Sequence, residues 1–318
     1  MITISAPGKI HLLGEHAVVY GKPALLTTVG LRIAVTITPS DITSGVGSDS
    51  PEVRRVIEPI VKKELKFKKL PPYTLKIESQ IPIGSGLGSS AAVSACYIAA
   101  LLTLLKVKWD LELVNKLAYE AEKVFHGNPS GADNSTIVYG GLVWYRKEAP
   151  DVKIIHPLPF SIPEKLAKNF VLINTGKPEE TTKAMVEMVS SKFNLPAGRQ
   201  EVQNSKIRKI FDDQERLVRN LLEVLKNADE AEFIRTIRAG EKNLESIGVC
   251  SPSVKKIIRQ IEKSGGAAKI CGAGGKTKAT GIVLAYHKDK KVIEKIAEEF
   301  KLNYFSTELG VEGLRLET

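Results

Sequence analysis

Apolar and polar residues alternate along 31–38, where Ile33, Val35 and Ile37 share one side, and this period of two predicts a half-buried strand. Short apolar runs at 2–5 and 10–13 predict two strands separated by Ala6-Pro7-Gly8, and 17–20 with Gly21-Lys22-Pro23 predicts a further strand and turn. A Gly- and Ser-rich loop follows at 43–51, then a helical pattern at 53–65 interrupted early by Pro59, then a strand at 73–77. Residues 91–105 are apolar except for Ser94 and Thr103; they fall short of the roughly 20 residues of a membrane span and predict a buried helix. Asp110 heads a helix in which Leu111, Val114, Ala118, Ala121 and Phe125 recur at spacings of three and four. Residues 136–146 predict a hairpin folded at Gly140-Gly141. Beyond a proline-bearing stretch at 157–163 come a strand at 170–174 and a helix entered near Thr181 or Thr182. Three long helical patterns at 199–226, 229–247 and 251–264 lead to a strand, glycine loop and strand over 267–286.

The strand at 73–77 leads to PIGSGLGSSAAVSAC, residues 82–96, a glycine-rich loop that opens straight into the apolar helix. Gly84, Gly86 and Gly88 allow positive φ and close backbone approach, while Ser89 and Ser90 offer helix caps and hydroxyls. The free N–H groups and positive dipole end of such a helix attract a phosphate. The loop is not a P-loop, because Gly88 is followed by Ser-Ser rather than Lys-Ser/Thr, and it is not a dinucleotide fingerprint, whose last glycine would lie two residues further on.

At 318 residues the chain exceeds what one core usually organises, so two domains are expected. Its 43% hydrophobic and 26% charged residues are those of an ordinary soluble protein. The net charge of +10 is spread: Lys62-Lys63 with Lys66, Lys68-Lys69 and residues 288–291 sit among acids or on helix faces without interleaved aromatics, which argues against a nucleic-acid partner. The N-terminus lacks a signal-peptide layout, no segment suits a membrane, and Cys96, Cys250 and Cys271 form no close pair, so a reducing cytoplasm is the expected setting.

Two carboxylates stand out. At 100° per residue Glu122 lies about 40° from Ala118, on the flank of the buried stripe, while Glu120 lies about 200° away and faces solvent. A carboxylate in Glu122's position needs a partner, whether lysine, water or a Mg²⁺ ion, which takes a few hard oxygens and keeps waters or phosphate oxygens. Asp133 stands in HGNPSGADNS, 126–135, among residues typical of turns and caps.

PGKIHLLGEHAVVYGKPA (7–24), GSGLGSSAA (84–92), EKVFHGNPSGADN (122–134) and AAKICGAGGKTKATGIVLAY (267–286) together resemble the galactokinase, homoserine kinase, mevalonate kinase and phosphomevalonate kinase (GHMP) family, in that order along nearly the whole chain. The resemblance implies an α/β (α+β) two-domain GHMP kinase fold. An N-terminal ribosomal-protein-S5-like domain (1–167) would carry the phosphate loop, and a ferredoxin-like domain with extra helices (168–318) would face it across a cleft. It further implies that Lys9 and Asp133 are catalytic, Asp133 as the base, and that Glu15, His16 and Thr182 lie beside substrate. Gly84, Ser85, Gly86, Leu87, Gly88, Ser89, Ser90, Gly272 and Gly274 would hold the nucleotide, and Ser90 and Glu122 the Mg²⁺. In the segment 267–286 this chain has Cys271 where the family usually has a hydroxyl residue and Lys276-Thr277-Lys278 in place of a glycine run, so the lysines are either phosphate-pairing charges or loop surface.

The reaction so implied is ATP-dependent phosphorylation of the 5-hydroxyl of (R)-mevalonate in isoprenoid synthesis, by a cytoplasmic enzyme compatible with a homodimer. A sister kinase for phosphomevalonate or homoserine would keep the glycine loop but not GEHAVVYG together with HGNPSGADN. A non-catalytic nucleotide-binding regulator would lose Lys9, Glu122 or Asp133, and a ribosomal-protein-like RNA binder would leave those acids without a purpose.

Overall fold

The computed structural model describes residues 1–40, 50–82, 85–126, 129–149, 152–192 and 205–317; Gly84, most of the expected 43–51 loop and the start of the helical pattern at 199–226 lie outside them. Strand β1 (Ile2–Leu13) is continuous, where two short strands were expected. Pro7 and Gly8 sit at a register shift against β2 (Ala24–Pro39), so the proline's missing N–H falls where the ladder is already interrupted. Between these strands Ala17–Tyr20 forms one 3-10 turn rather than a strand, entered through His16 at φ 58° and left through Gly21 at φ 78°.

Helix α1 (Pro51–Leu65) contains Pro59 without being ended by it, and β3 (Tyr73–Ser79) pairs with the far end of β2. Helix α2 (Ser89–Leu104) is buried all the way from 91 to 102 because it has no polar face. It packs on β1 and β2 and is covered by α1, α3 (Leu111–His126) and α4 (Ala132–Tyr139). The expected hairpin at 136–146 is replaced by α4 and the start of β4 (Leu142–Ala149); the hairpin is made instead by β4 with β5 (Val152–Pro157). The β-branched run Thr136-Ile137-Val138 favours a strand, but all three side chains are buried in α4 and Thr136 Oγ1 bonds the Ala132 carbonyl at 2.8 Å, so burial overrides propensity.

After α5 (Glu164–Ala167) the second half begins with β6 (Phe170–Asn174), followed by α6 (Thr182–Lys192), α7 (Ser205–Lys226), α8 (Glu230–Ile247) and α9 (Pro252–Lys263). Strands β7 (Ala267–Ile270) and β8 (Ile282–Tyr286), helix α10 (Lys290–Glu299) and strand β9 (Asn303–Thr307) complete an antiparallel sheet in the order β7-β8-β6-β9. The final strand, β10 (Arg315–Glu317), returns to pair with β1 at the edge of the first sheet, β10-β1-β2-β4-β5. A division between 167 and 168 is therefore a proposal with one amendment: β10 belongs with the first sheet. Among the described residues no helix is long and apolar enough to cross a membrane.

Candidate active site

The glycine loop is fastened to β1. The Lys9 N–H donates to the Leu87 carbonyl at 2.9 Å, and Leu87 itself is buried. Gly88, at φ 80°, is the N-cap of α2; neither Ser89 nor Ser90 caps the helix as expected, and among the described residues no side chain does. A capping side chain has no room there: a Cβ on Gly88 would lie 2.8 Å from Ile137 Cδ1 and 3.0 Å from Lys9 Cγ. Two residues earlier in the turn, Gly86 has φ 79° and, among the described residues, nothing within 4 Å of where its Cβ would be. The loop thus offers an exposed backbone and an uncapped helix start to an anion. Ser85 turns inward, its hydroxyl donating to the Pro82 carbonyl at 2.7 Å.

Lys9 and Asp133, remote in sequence, meet beside this loop with Nζ 3.0 Å from Oδ2. The lysine side chain is 7% exposed, whereas the aspartate side chain is 36% exposed and open to a ligand. Burial pushes the Asp133 carboxyl up, but the charge of Lys9 and its hydrogen bond pull it down, and the group is held below the ordinary aspartate value. Its place in the first turn of α4 also suits a negative charge. His11, two residues along β1 from Lys9, was not singled out from the sequence. Burial, with Lys9 adding to it, drives its pKa down to about 3, so the imidazole is neutral.

Glu122 is buried on α3, as its angular position predicted, with Oε1 lacking any hydrogen-bond partner among the described residues, while Glu120 is exposed and paired with Lys123. Burial raises the Glu122 pKa against the influence of His126. The His126 Nε2 stands 3.6 Å from Glu122 Oε2 and 3.1 Å from the Ser90 hydroxyl, so these three side chains cluster where α2 begins and α3 ends. A buried carboxylate oxygen without a partner, beside a hydroxyl, suits a hard cation. Among the described residues no group of three or more His, Cys, Asp or Glu could hold a metal, so phosphate and water would have to complete the shell.

Glu15 and His16 are both held by the second half. Lys269 on β7 donates to Glu15 Oε1 in an ion pair buried on both sides. His16 Nε2 donates to the Ala273 carbonyl at 3.0 Å; burial lowers its pKa, so the ring is neutral and Nδ1 is an acceptor. The sequence contained the signal for Lys269, a lone charge in the otherwise apolar strand AAKI, and its meaning was missed. Gly274 is required by its φ of 73° and a Val249 oxygen 2.1 Å from any added Cβ, whereas Gly272 faces open space. Near the far end of that loop Gly281 comes within 3.7 Å of the Ser85 carbonyl, measured from its Cβ position, so the two glycine segments adjoin. Cys271 is a free thiol whose pKa burial raises to about 11.

Thr182 is exposed at the first position of α6, and the capping hydroxyl is that of Thr181, which accepts from the Ala184 N–H at 3.2 Å. Lys278 lies 3.7 Å from Glu179 in an exposed pair, Thr277 donates to Glu180 at 2.5 Å, and Lys276 is exposed. These contacts tie the loop to the segment leading into α6.

Residues 52–141 match the family described as GHMP kinases N terminal domain. The chain is 35% identical over 276 residues to a mevalonate kinase of Archaeoglobus fulgidus, covering 85% of this chain and 88% of that one. It superposes on a mevalonate kinase crystal structure with a TM-score of 0.82 at 22% identity, covering 98% and 100% of the two chains. For the L. major mevalonate kinase in complex with R-mevalonate the TM-score is 0.78 at 22% identity, covering 97% and 96%.

Proposed function

The chain belongs to the GHMP kinases, within the mevalonate kinase family, and from that premise we propose that it transfers the γ-phosphoryl group of ATP to the 5-hydroxyl of (R)-mevalonate. The observation that carries the reading is the 3.0 Å Lys9–Asp133 pair, with its aspartate open to a ligand, set against an uncapped helix start and an unobstructed glycine turn.

Phosphoryl transfer needs in-line positioning and charge neutralisation more than covalent chemistry. The N–H groups at the start of α2 and the Gly86–Gly88 turn bind the ATP phosphates. Asp133, kept ionised by Lys9, accepts the proton of the attacking hydroxyl. Lys9 stabilises negative charge on the hydroxyl oxygen and on the transferring group, and its burial makes that charge more effective than it would be in water. Neutral His11 and His16 add no competing positive charge, and the His16 Nδ1 is an acceptor suited to a substrate hydroxyl. Glu122 and Ser90 would hold Mg²⁺, which supplies neutralisation of the phosphate oxygens. The roles of Glu15, Thr182, Gly272 and Gly274 at substrate or nucleotide belong to the same proposal, as does a reducing cytoplasm, with which three free cysteines agree.

The test is a coupled ADP-release assay with mevalonate, phosphomevalonate and homoserine compared side by side. Turnover with mevalonate well above the other two is expected. Preference for phosphomevalonate or homoserine would overturn the substrate assignment, and phosphate binding without turnover on any of them would favour a regulator.

A further inference from the structure

Lys269 is fully buried, and its three ammonium protons are all used. They go to Glu15 Oε1, to the Ile270 carbonyl at 2.7 Å and to the His11 carbonyl at 3.3 Å. Behind it Glu241 of α8, also fully buried, accepts the Ile270 N–H at 2.9 Å. One cation thus stands near two buried carboxylates, and burial raises the Glu241 pKa to about 8, so that group keeps its proton at neutral pH. A buried pair of this kind is weak as a stabiliser, since apolar residues of equal volume often serve as well or better. Its geometry gives it another use. His11 lies two residues from Lys9 on β1, Glu15 lies in the corner after β1, and His16 of that corner bonds the Ala273 carbonyl in the second glycine loop.

We propose that Lys269 is a positioning residue for phosphoryl transfer: by gripping the His11 carbonyl and the Glu15 carboxylate together, it sets the β1 segment that carries Lys9 against the second glycine loop. The proposal rests on the kinase reading above and assigns Lys269 no contact with substrate. A shift of β1 by about 1 Å would take Lys9 off Asp133, and misplacements of that size cost about 10²-fold in rate.

The experiment compares Lys269→Met, Glu15→Gln and the double variant by thermal melting and by steady-state kinetics with ATP and mevalonate. Lys269→Met alone is expected to melt far below wild type, because it leaves Glu15 buried and uncompensated. The double variant is expected to regain most of the melting temperature yet keep a kcat about 10²-fold below wild type, with the KM for ATP unchanged. A double variant with wild-type kcat overturns the proposal and leaves the pair a structural contact. If the double variant does not fold, Glu15→Gln decides through the acid limb of kcat/KM: a limb moved upward, as Lys9 leaves Asp133, together with a fall in kcat supports positioning, while an unmoved limb, whatever the change in kcat or in the KM for mevalonate, overturns it. Wild-type turnover is the control that separates the two claims. If wild type fails on mevalonate, the substrate assignment falls, and the variants are then compared on whichever hydroxyl substrate wild type accepts.

Discussion

Gly88→Ala tests whether the glycine loop and the catalytic lysine form one unit. The substitution places a Cβ 2.8 Å from Ile137 Cδ1, 3.0 Å from Lys9 Cγ and 3.2 Å from Lys9 Cε, at a residue whose φ is 80°. The left-handed backbone costs about 1–2 kcal/mol for an L-residue, and relieving the overlap adds roughly another 1 kcal/mol, so a stability loss of about 2–3 kcal/mol is expected. The larger effect is on rate. Lys9 is anchored by its N–H to Leu87, so its stem can yield only by moving Nζ from the 3.0 Å contact with Asp133, and a displacement of about 1 Å predicts a kcat about 10²-fold lower. Gly86→Ala is the control, because φ is nearly the same but the added Cβ meets nothing within 4 Å. It should lose a similar 1–2 kcal/mol from backbone strain and raise the KM for ATP by crowding the phosphates, with little change in kcat. Thermal melts and the coupled ADP assay at saturating substrates measure both quantities. A Gly88→Ala enzyme that is destabilised but turns over at the wild-type rate would refute the coupling, showing that the lysine stem bends aside without moving its ammonium.

Asp133→Asn should keep fold and ATP binding while lowering turnover by roughly 10²-fold or more; retention of most activity would remove Asp133 from the mechanism. Because its folded pKa lies below the ordinary value of about 3.9, its contribution to stability is fully present above that value and fades as pH falls through the folded pKa. The acid limb of kcat/KM should accordingly lie below about pH 4, and Lys9→Met, which removes the main lowering influence, should move it upward; an unmoved limb assigns it to another group. Glu122→Gln should raise the Mg²⁺ concentration needed for half-maximal rate without lowering the melting temperature, since it removes a buried charge with an unpartnered oxygen; unchanged Mg²⁺ dependence with a lower melting temperature would make the carboxylate purely structural. Changing Lys276 and Lys278 together to Ala should raise the KM for ATP and flatten its salt dependence while leaving that for mevalonate alone; no change in ATP binding at low salt makes them ordinary surface residues.

Features governed by local chemistry were legible in the chain itself. The glycine loop opening into a helix without a polar face, the Asp110 cap and the placing of Glu122 on a buried flank follow from backbone freedom, unpaired N–H groups and a 3.6-residue turn, which neighbouring residues decide. The order of motifs pointed to the family for the same reason, because each is a short contiguous string. What lay beyond the sequence was every choice made by distant parts of the chain. Residues 132–139 became a helix against their β-branched bias because α2, α3 and β1 bury them. Ala17–Tyr20 became a 3-10 turn because Tyr20 stacks on Phe211 at 5.1 Å and shares a 2.5 Å hydrogen bond with Ser190. The grip of Lys269 on Glu15 joins a strand of the second sheet to the turn that follows β1, and a charge in an apolar strand announces only that it needs a partner. Which partner it finds is settled by desolvation in the folded core, where among the described residues Glu15 is the carboxylate within pairing distance of it.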